Sequence, residues 1–167
     1  KIAIKMLERL LEAGFDKDIS IKLINSTLIA NLEEDMYATL DVAILDLYKG
    51  NLEFIKNGAC PTFIKRGKEI QILKSLELPT GIVENMDLVV YDYDLQPDDL
   101  IVMCTDGVIE SNTEYISKEL WIKYLLEDMQ TTDAQKIADI ILSEAIDNNY
   151  GKQKDDMTVI VAKIGRV

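Results

Sequence analysis

The chain has 167 residues, 48% hydrophobic and 29% charged, enough for one domain with a real core and ordinary for a soluble globular fold. Its net charge of -12 argues against nucleic acid, whose phosphates would be repelled, and admits a phosphorylated ligand only where bound cations reverse the local sign. The absence of histidine removes Ser-His-Asp and Cys-His nucleophile pairs, a histidine general base and zinc–histidine sites.

The chain opens inside an amphipathic pattern. Ile2, Met6, Leu7, Leu10 and Leu11 fall at helical spacing, and Gly14 fits a C-terminal stop. Starting at Lys1 within that pattern, the N-terminus reads as cut from a longer sequence. A second helix is expected from about residue 19 to 32, with Asp18 as its N-cap and Leu23, Ile24, Leu28 and Leu32 among its apolar residues. Two short adjacent helices imply an antiparallel hairpin.

The middle of the chain reads as β. Residues 37–47 are rich in β-formers, Lys49-Gly50-Asn51 makes a turn, and 52–56 returns as a hairpin. Asn57-Gly58-Ala59-Cys60-Pro61 is a break. Residues 62–65 and 69–73 flank Arg66-Gly67-Lys68 as a second hairpin. Pro79 and Gly81 mark a loop, 88–95 is a strand, and Gln96-Pro97-Asp98-Asp99 is a turn. Residues 100–104 form a short apolar run of the kind found in central strands. Helices are expected over 118–127 and 133–147, the second through Ile137, Ile140, Ile141 and Ala145, and a last strand over 157–164. The order predicts an α+β fold with helices packed on antiparallel strands, and a single domain over 1–167.

Two motifs carry the chemistry. Thr105-Asp106-Gly107-Val108-Ile109-Glu110 follows the apolar strand at 100–104, and Lys154-Asp155-Asp156-Met157-Thr158 precedes the last strand. Each carboxylate sits where a strand meets a loop, so both can reach one polar cleft at the end of a sheet. Without histidine, a metal there would be held by oxygen, which suits Mg²⁺ or Mn²⁺. Two aspartates alone do not hold two ions. Cys60 and Cys104 lie in no metal or redox spacing and read as reduced thiols of a cytoplasmic domain, Cys104 as a small core residue. No apolar run approaches ~18–20 residues, and no secretion signal, Gly-x-Gly-x-x-Gly or P-loop occurs.

The ordered set strand, Thr-Asp-Gly-Val-Ile-Glu, two helices, Asp-Asp-Met-Thr and strand resembles the C-terminal half of metal-dependent PP2C-type serine/threonine phosphatases. It is most similar to the sigma-regulating bacterial branch and, within it, to the phosphatase domain of the stage II sporulation protein E type. Residues 37–46 resemble the family's central strand, Asn57-Gly58-Ala59 its Asn-Ala-Gly turn, and Leu78-Pro79-Thr80-Gly81-Ile82 its Leu-Pro-Leu-Gly segment. The resemblance implies a PP2C-like antiparallel β-sandwich flanked by helices, with the N-terminal strands missing. It implies Asp106 and Asp155 as metal ligands, Asp156 in support, Gly107 allowing close backbone approach, and Glu110 shaping the loop.

Two earlier family aspartates, in a Gly-Asp and an Asp-Gly-Met-Gly segment, have no counterpart in this sequence and are expected just upstream. Activity of this polypeptide alone is therefore not expected. The implied mechanism uses two ions, Mn²⁺ or Mg²⁺, bridged by a water that attacks phosphorus in line. The implied partner is a phosphoserine protein, a phosphorylated anti-anti-sigma factor whose dephosphorylation activates a sporulation sigma factor. The first helix pair, through Leu7, Leu10, Ile24 and Leu28, is read either as ordinary core or as a regulatory element and homodimer surface. The parent chain is left open as a membrane-anchored protein. The competing class is a non-catalytic interaction module with a degenerate phosphatase fold. An acidic calcium-binding domain is disfavoured, since no EF-hand loop occurs.

Overall fold

The computed structural model describes residues 2–30, 37–46, 48–84, 86, 88–149 and 155–165. Leu32, Leu47 and Lys154 of the sequence reading lie outside them. The chain divides into two compact units, one of Lys1–Asp46, Asn51–Ala59 and Ser75–Tyr93, the other of Leu47–Gly50, Cys60–Lys74 and Asp94–Val167.

In the first unit, α1 (Ile2–Glu12) and α2 (Lys17–Ala30) pack on each other. Helix α1 stops as its sequence dictates. Gly14 takes φ +84°, its N–H donates to Leu11 O, and Phe15 N–H donates to Leu10 O, the paired bonds of a glycine C-terminal stop. The N-cap of α2 is Asp16, not Asp18: the Asp16 carboxylate accepts from Asp18 N at 2.9 Å, and Asp18 lies in the first turn. Both aspartates suit a helix start, and the helix begins two residues earlier than the spacing predicts.

Strands β1 (Leu40–Asp46) and β2 (Asn51–Asn57) pair antiparallel from Leu40↔Asn57 to Asp46↔Asn51, the expected hairpin. With β5 (Val90–Asp94) they form a three-stranded sheet in the order β1-β2-β5. Residues 37–39 fall short of β1, and Ala38 instead makes an isolated bridge to Thr80.

The core of this unit gathers Ile21, Ile24, Leu28, Leu40, Ile55 and Met86, with Leu7 and Leu10 partly buried against it. Ile24 and Leu28 are therefore core residues, while Leu23 faces solvent. The exposed apolar side chains of the helix pair include Ile2, Ile4, Leu11, Phe15 and Ile19. Burial of Lys56 is complete, and its ammonium meets its cross-strand neighbour Asp41 at 2.6 Å.

The second unit holds a four-stranded antiparallel sheet in the order β4 (Glu69–Leu73), β3 (Thr62–Arg66), β6 (Leu100–Cys104), β7 (Val159–Lys163). Strand β6 is interior, as its uninterrupted apolar run predicts. Phe63, Leu100, Val102 and Cys104 share a core with Val108, Trp121, Ile122, Leu126, Ile137 and Ile141. The last six come from α3 (Asp106–Ile109), α4 (Leu120–Asp128) and α5 (Ala134–Asn148). Ile140, counted on the apolar face by spacing, is exposed.

Asp133 caps α5 by accepting from Lys136 N at 3.1 Å. Lys65 is buried, and its ammonium donates to Leu126 O near the C-terminal end of α4, where a cation suits the free carbonyls. Burial lowers the Lys65 pKa, with Glu127 acting in opposition. Burial pushes the Cys104 thiol up to about 12, which leaves it a protonated, unreactive core group as its sequence reading expects. Among the described residues, no helix is long and apolar enough to cross a membrane.

Candidate metal centre

The site lies within the second unit, where β6 ends and β7 begins. The antiparallel register places Cys104 opposite Val159, so the residues just outside the sheet, Thr105 and Thr158, continue side by side. Thr105 N donates to Thr158 O at 3.1 Å. Thr105 is still extended (φ −78°, ψ 164°), and the next residue, Asp106, begins the single turn of α3. Val108 and Ile109 anchor that turn in the core, and Trp121 Nε1 donates to Ile109 O at 3.1 Å. Asp106 is thus held on a short helix with a buried underside, whereas sequence reasoning had placed it on a loop.

Gly107 shows how closely the two motifs meet. A Cβ at this position would stand 2.6 Å from the Asp156 carbonyl oxygen and 3.2 Å from Asp155 Cβ. No ordinary side chain fits there, so the motifs 49 residues apart are in backbone contact at this glycine. One carboxylate oxygen of Asp106 accepts from Gly107 N at 2.9 Å, and one of Asp155 accepts from Asp156 N at 2.8 Å. Asp106, Asp155 and Asp156 are all exposed to solvent. Glu110 closes α3 and pairs with Lys118 at 3.3 Å, consistent with shaping the loop.

The structure therefore brings together Asp106, Gly107, Asp155 and Asp156. Leu7, Leu10, Ile24 and Leu28 belong to the other unit's core. Sequence reasoning did not single out Thr105, whose hydroxyl donates to Asp156 O at 3.1 Å and accepts from Thr158 N at 2.9 Å. Local sequence carries no signal for a bond between residues so far apart. Among the described residues, no group of three or more acidic or thiol side chains is arranged around one ion position.

Comparison with known proteins identifies the architecture. The profile of the stage II sporulation protein E (SpoIIE) family matches residues 2–165. Stage II sporulation protein E of Bacillus subtilis (strain 168) is 39% identical over 161 residues, 96% of this chain and 20% of its own length. That of Priestia megaterium is 38% identical over 96% of this chain and 28% of its own length. The chain thus spans between a fifth and a third of these relatives.

The solved structure of the PP2C phosphatase domain of SpoIIE from Bacillus subtilis, with a fragment of its regulatory domain, superposes with a TM-score of 0.90. It is 38% identical and covers 99% of this chain and 50% of the solved one. A manganese-presoaked structure of the same protein's phosphatase domain gives 0.75 at 36% identity, covering 99% and 74%. On these matches the chain belongs to the SpoIIE family and carries the α+β fold of its PP2C phosphatase domain.

Proposed function

We propose that the chain is the larger part of a metal-dependent protein serine/threonine phosphatase. Its proposed substrate is a phosphoserine protein, a phosphorylated anti-anti-sigma factor, whose dephosphorylation activates a sporulation sigma factor. The observation that carries the reading is the contact at Gly107, which sets the helix turn of Asp106 against the segment of Asp155. A further relative, the phosphoserine phosphatase RsbU of Bacillus subtilis, is 25% identical over 94% of this chain and supports the phosphoserine class.

The residues present suit Mn²⁺ or Mg²⁺. The donors are exposed carboxylates, each with one oxygen fixed by the following backbone N–H, and hard divalent ions favour oxygen. Asp106 and Asp155 would hold metal, with Asp156 in support. The chemistry such ions supply is a bound water of lowered pKa that attacks phosphorus, together with charge that offsets the phosphate. The chain's own work is positioning: Gly107 permits the close approach, and α3 fixes Asp106 over a buried turn. No protein nucleophile is required, in keeping with a sequence without histidine. Two further carboxylates are needed for two ions, so the catalytic unit includes the segment that carries them.

The test is phosphate release from a phosphoserine protein in Mn²⁺, using the chain joined to its upstream segment. Asp106→Asn and Asp155→Asn should each lower the rate by more than the ~10–100-fold that outer-sphere partners of a metal are worth. A folded wild type with no metal-dependent release would favour the non-catalytic interaction module instead.

The same reading gives α1 and α2 a regulatory part, as a pair whose movement shifts an adjoining ligand segment. Leu7, Leu10, Ile24 and Leu28 hold the pair on its sheet, which leaves Ile4 and Leu11 as the places to test self-association. Ile4→Glu with Leu11→Glu should leave folding intact and reduce dimer formation in sedimentation velocity. Unchanged mass and unchanged activity would remove the helix pair from regulation.

A further inference from the structure

We infer that Thr105 is a positioning residue for the metal site: its side chain fastens the loop of Asp155 to the base of the helix that carries Asp106. The inference rests on the metal reading of that site. A threonine before a helix ordinarily turns its hydroxyl onto an N–H of that helix's first turn. Thr105 occupies that position for α3 but makes no such bond. Its backbone carbonyl takes the N–H groups of Val108 and Ile109 instead, at 3.1 and 3.2 Å. The hydroxyl is thereby free to cross to the second motif, donating to Asp156 O and accepting from Thr158 N.

The backbone bond from Thr105 N to Thr158 O completes a three-bond clamp. Asp106 is the next residue after Thr105, and Asp155 directly precedes Asp156. The clamp therefore acts one residue away from each proposed ligand. It also holds the Asp156 carbonyl at the place where Gly107 leaves room for it. Both carboxylates are exposed, so their own side chains are not held by packing, and the clamp adds a local restraint on the separation of the segments that carry them.

Groups that orient metal ligands from behind are worth ~10–100-fold in metal affinity. The hydroxyl, rather than the bulk of the side chain, is the active element. Valine matches threonine in shape and lacks the oxygen, whereas serine keeps the oxygen and loses the methyl.

The experiment is titration calorimetry of Mn²⁺ into the chain joined to its upstream segment, as wild type, Thr105→Val and Thr105→Ser, with thermal midpoints recorded in parallel. The expected result is affinity weakened ~10–100-fold in Thr105→Val and near wild type in Thr105→Ser. Wild-type affinity in a folded Thr105→Val protein would overturn the inference and leave the metal reading standing. Absence of Mn²⁺ binding by the folded wild type would overturn the metal reading itself.

Should Thr105→Val fail to fold, hydrogen exchange of the Thr158 amide in the wild type decides the matter. Coupling between sites is reciprocal, so a clamp that favours metal binding must be tightened by it. Exchange at Thr158 should slow on Mn²⁺ saturation, and an unchanged rate would overturn the inference.

Discussion

Gly107→Ala is expected to cost the completed domain ~100-fold in kcat/KM, although the substitution adds a single methyl group. That methyl would lie 2.6 Å from the Asp156 carbonyl oxygen, well inside contact distance. The obstructing atom is backbone, so no rotamer change relieves the overlap, and either α3 or the Asp155–Thr158 segment must move. Movement of either displaces a proposed ligand, and a displacement near 1 Å is enough for a loss of that size. Overpacking should also lower stability by ~1–3 kcal/mol. Steady-state kinetics and thermal melts on one preparation separate the two effects. Wild-type kinetics from Gly107→Ala would show that the close approach has no role in the site.

The largest effect on stability is expected at Lys56. Its side chain is fully buried and its ammonium is bonded to Asp41, whose side chain is 18% exposed. Removing the cation takes a buried charge partner away from a largely buried carboxylate, a change that costs ~3–5 kcal/mol. Lys56→Met keeps most of the packing volume and should still show a loss of this order by urea denaturation. Replacing the pair together, Lys56→Met with Asp41→Leu, should recover most of it, because an apolar pair incurs no desolvation of charge. If Lys56→Met alone left stability unchanged, the ion pair would be energetically silent, and burial of the lysine stem would account for its position.

The sequence made the sheet largely legible. Strand β6 coincides with the predicted 100–104 because it is apolar throughout, and β4 coincides with 69–73 because Gly67 fixes the turn before it. Strand ends drifted elsewhere: 88–95 contracts to 90–94 and 157–164 to 159–163, since pairing partners, not composition, decide where a ladder stops. The four-residue helix α3 was not anticipated, because a single turn has no periodicity to read. Helix α4 begins at Leu120, two residues later than expected, with Glu119 as its N-cap.

At the site, Asp106, Gly107, Asp155 and Asp156 were legible as motifs, and the structure adds their apposition. The close backbone approach at Gly107 was expected from the resemblance, whereas the Thr105 clamp was not. Its partners lie 51 and 53 residues away, and only the antiparallel pairing of β6 with β7 brings them within reach. For the helix pair, the 3.6-residue pattern identified apolar faces but did not separate buried Ile24 from exposed Leu23.

The most direct test of the central claim is anomalous diffraction at the manganese edge from crystals of the completed domain soaked in Mn²⁺. An anomalous peak within ligand distance of carboxylate oxygens of both Asp106 and Asp155, absent in Asp106→Asn crystals, is the predicted result. Manganese bound elsewhere, or full occupancy retained in Asp106→Asn, would contradict the assignment of these two aspartates as the metal-holding pair.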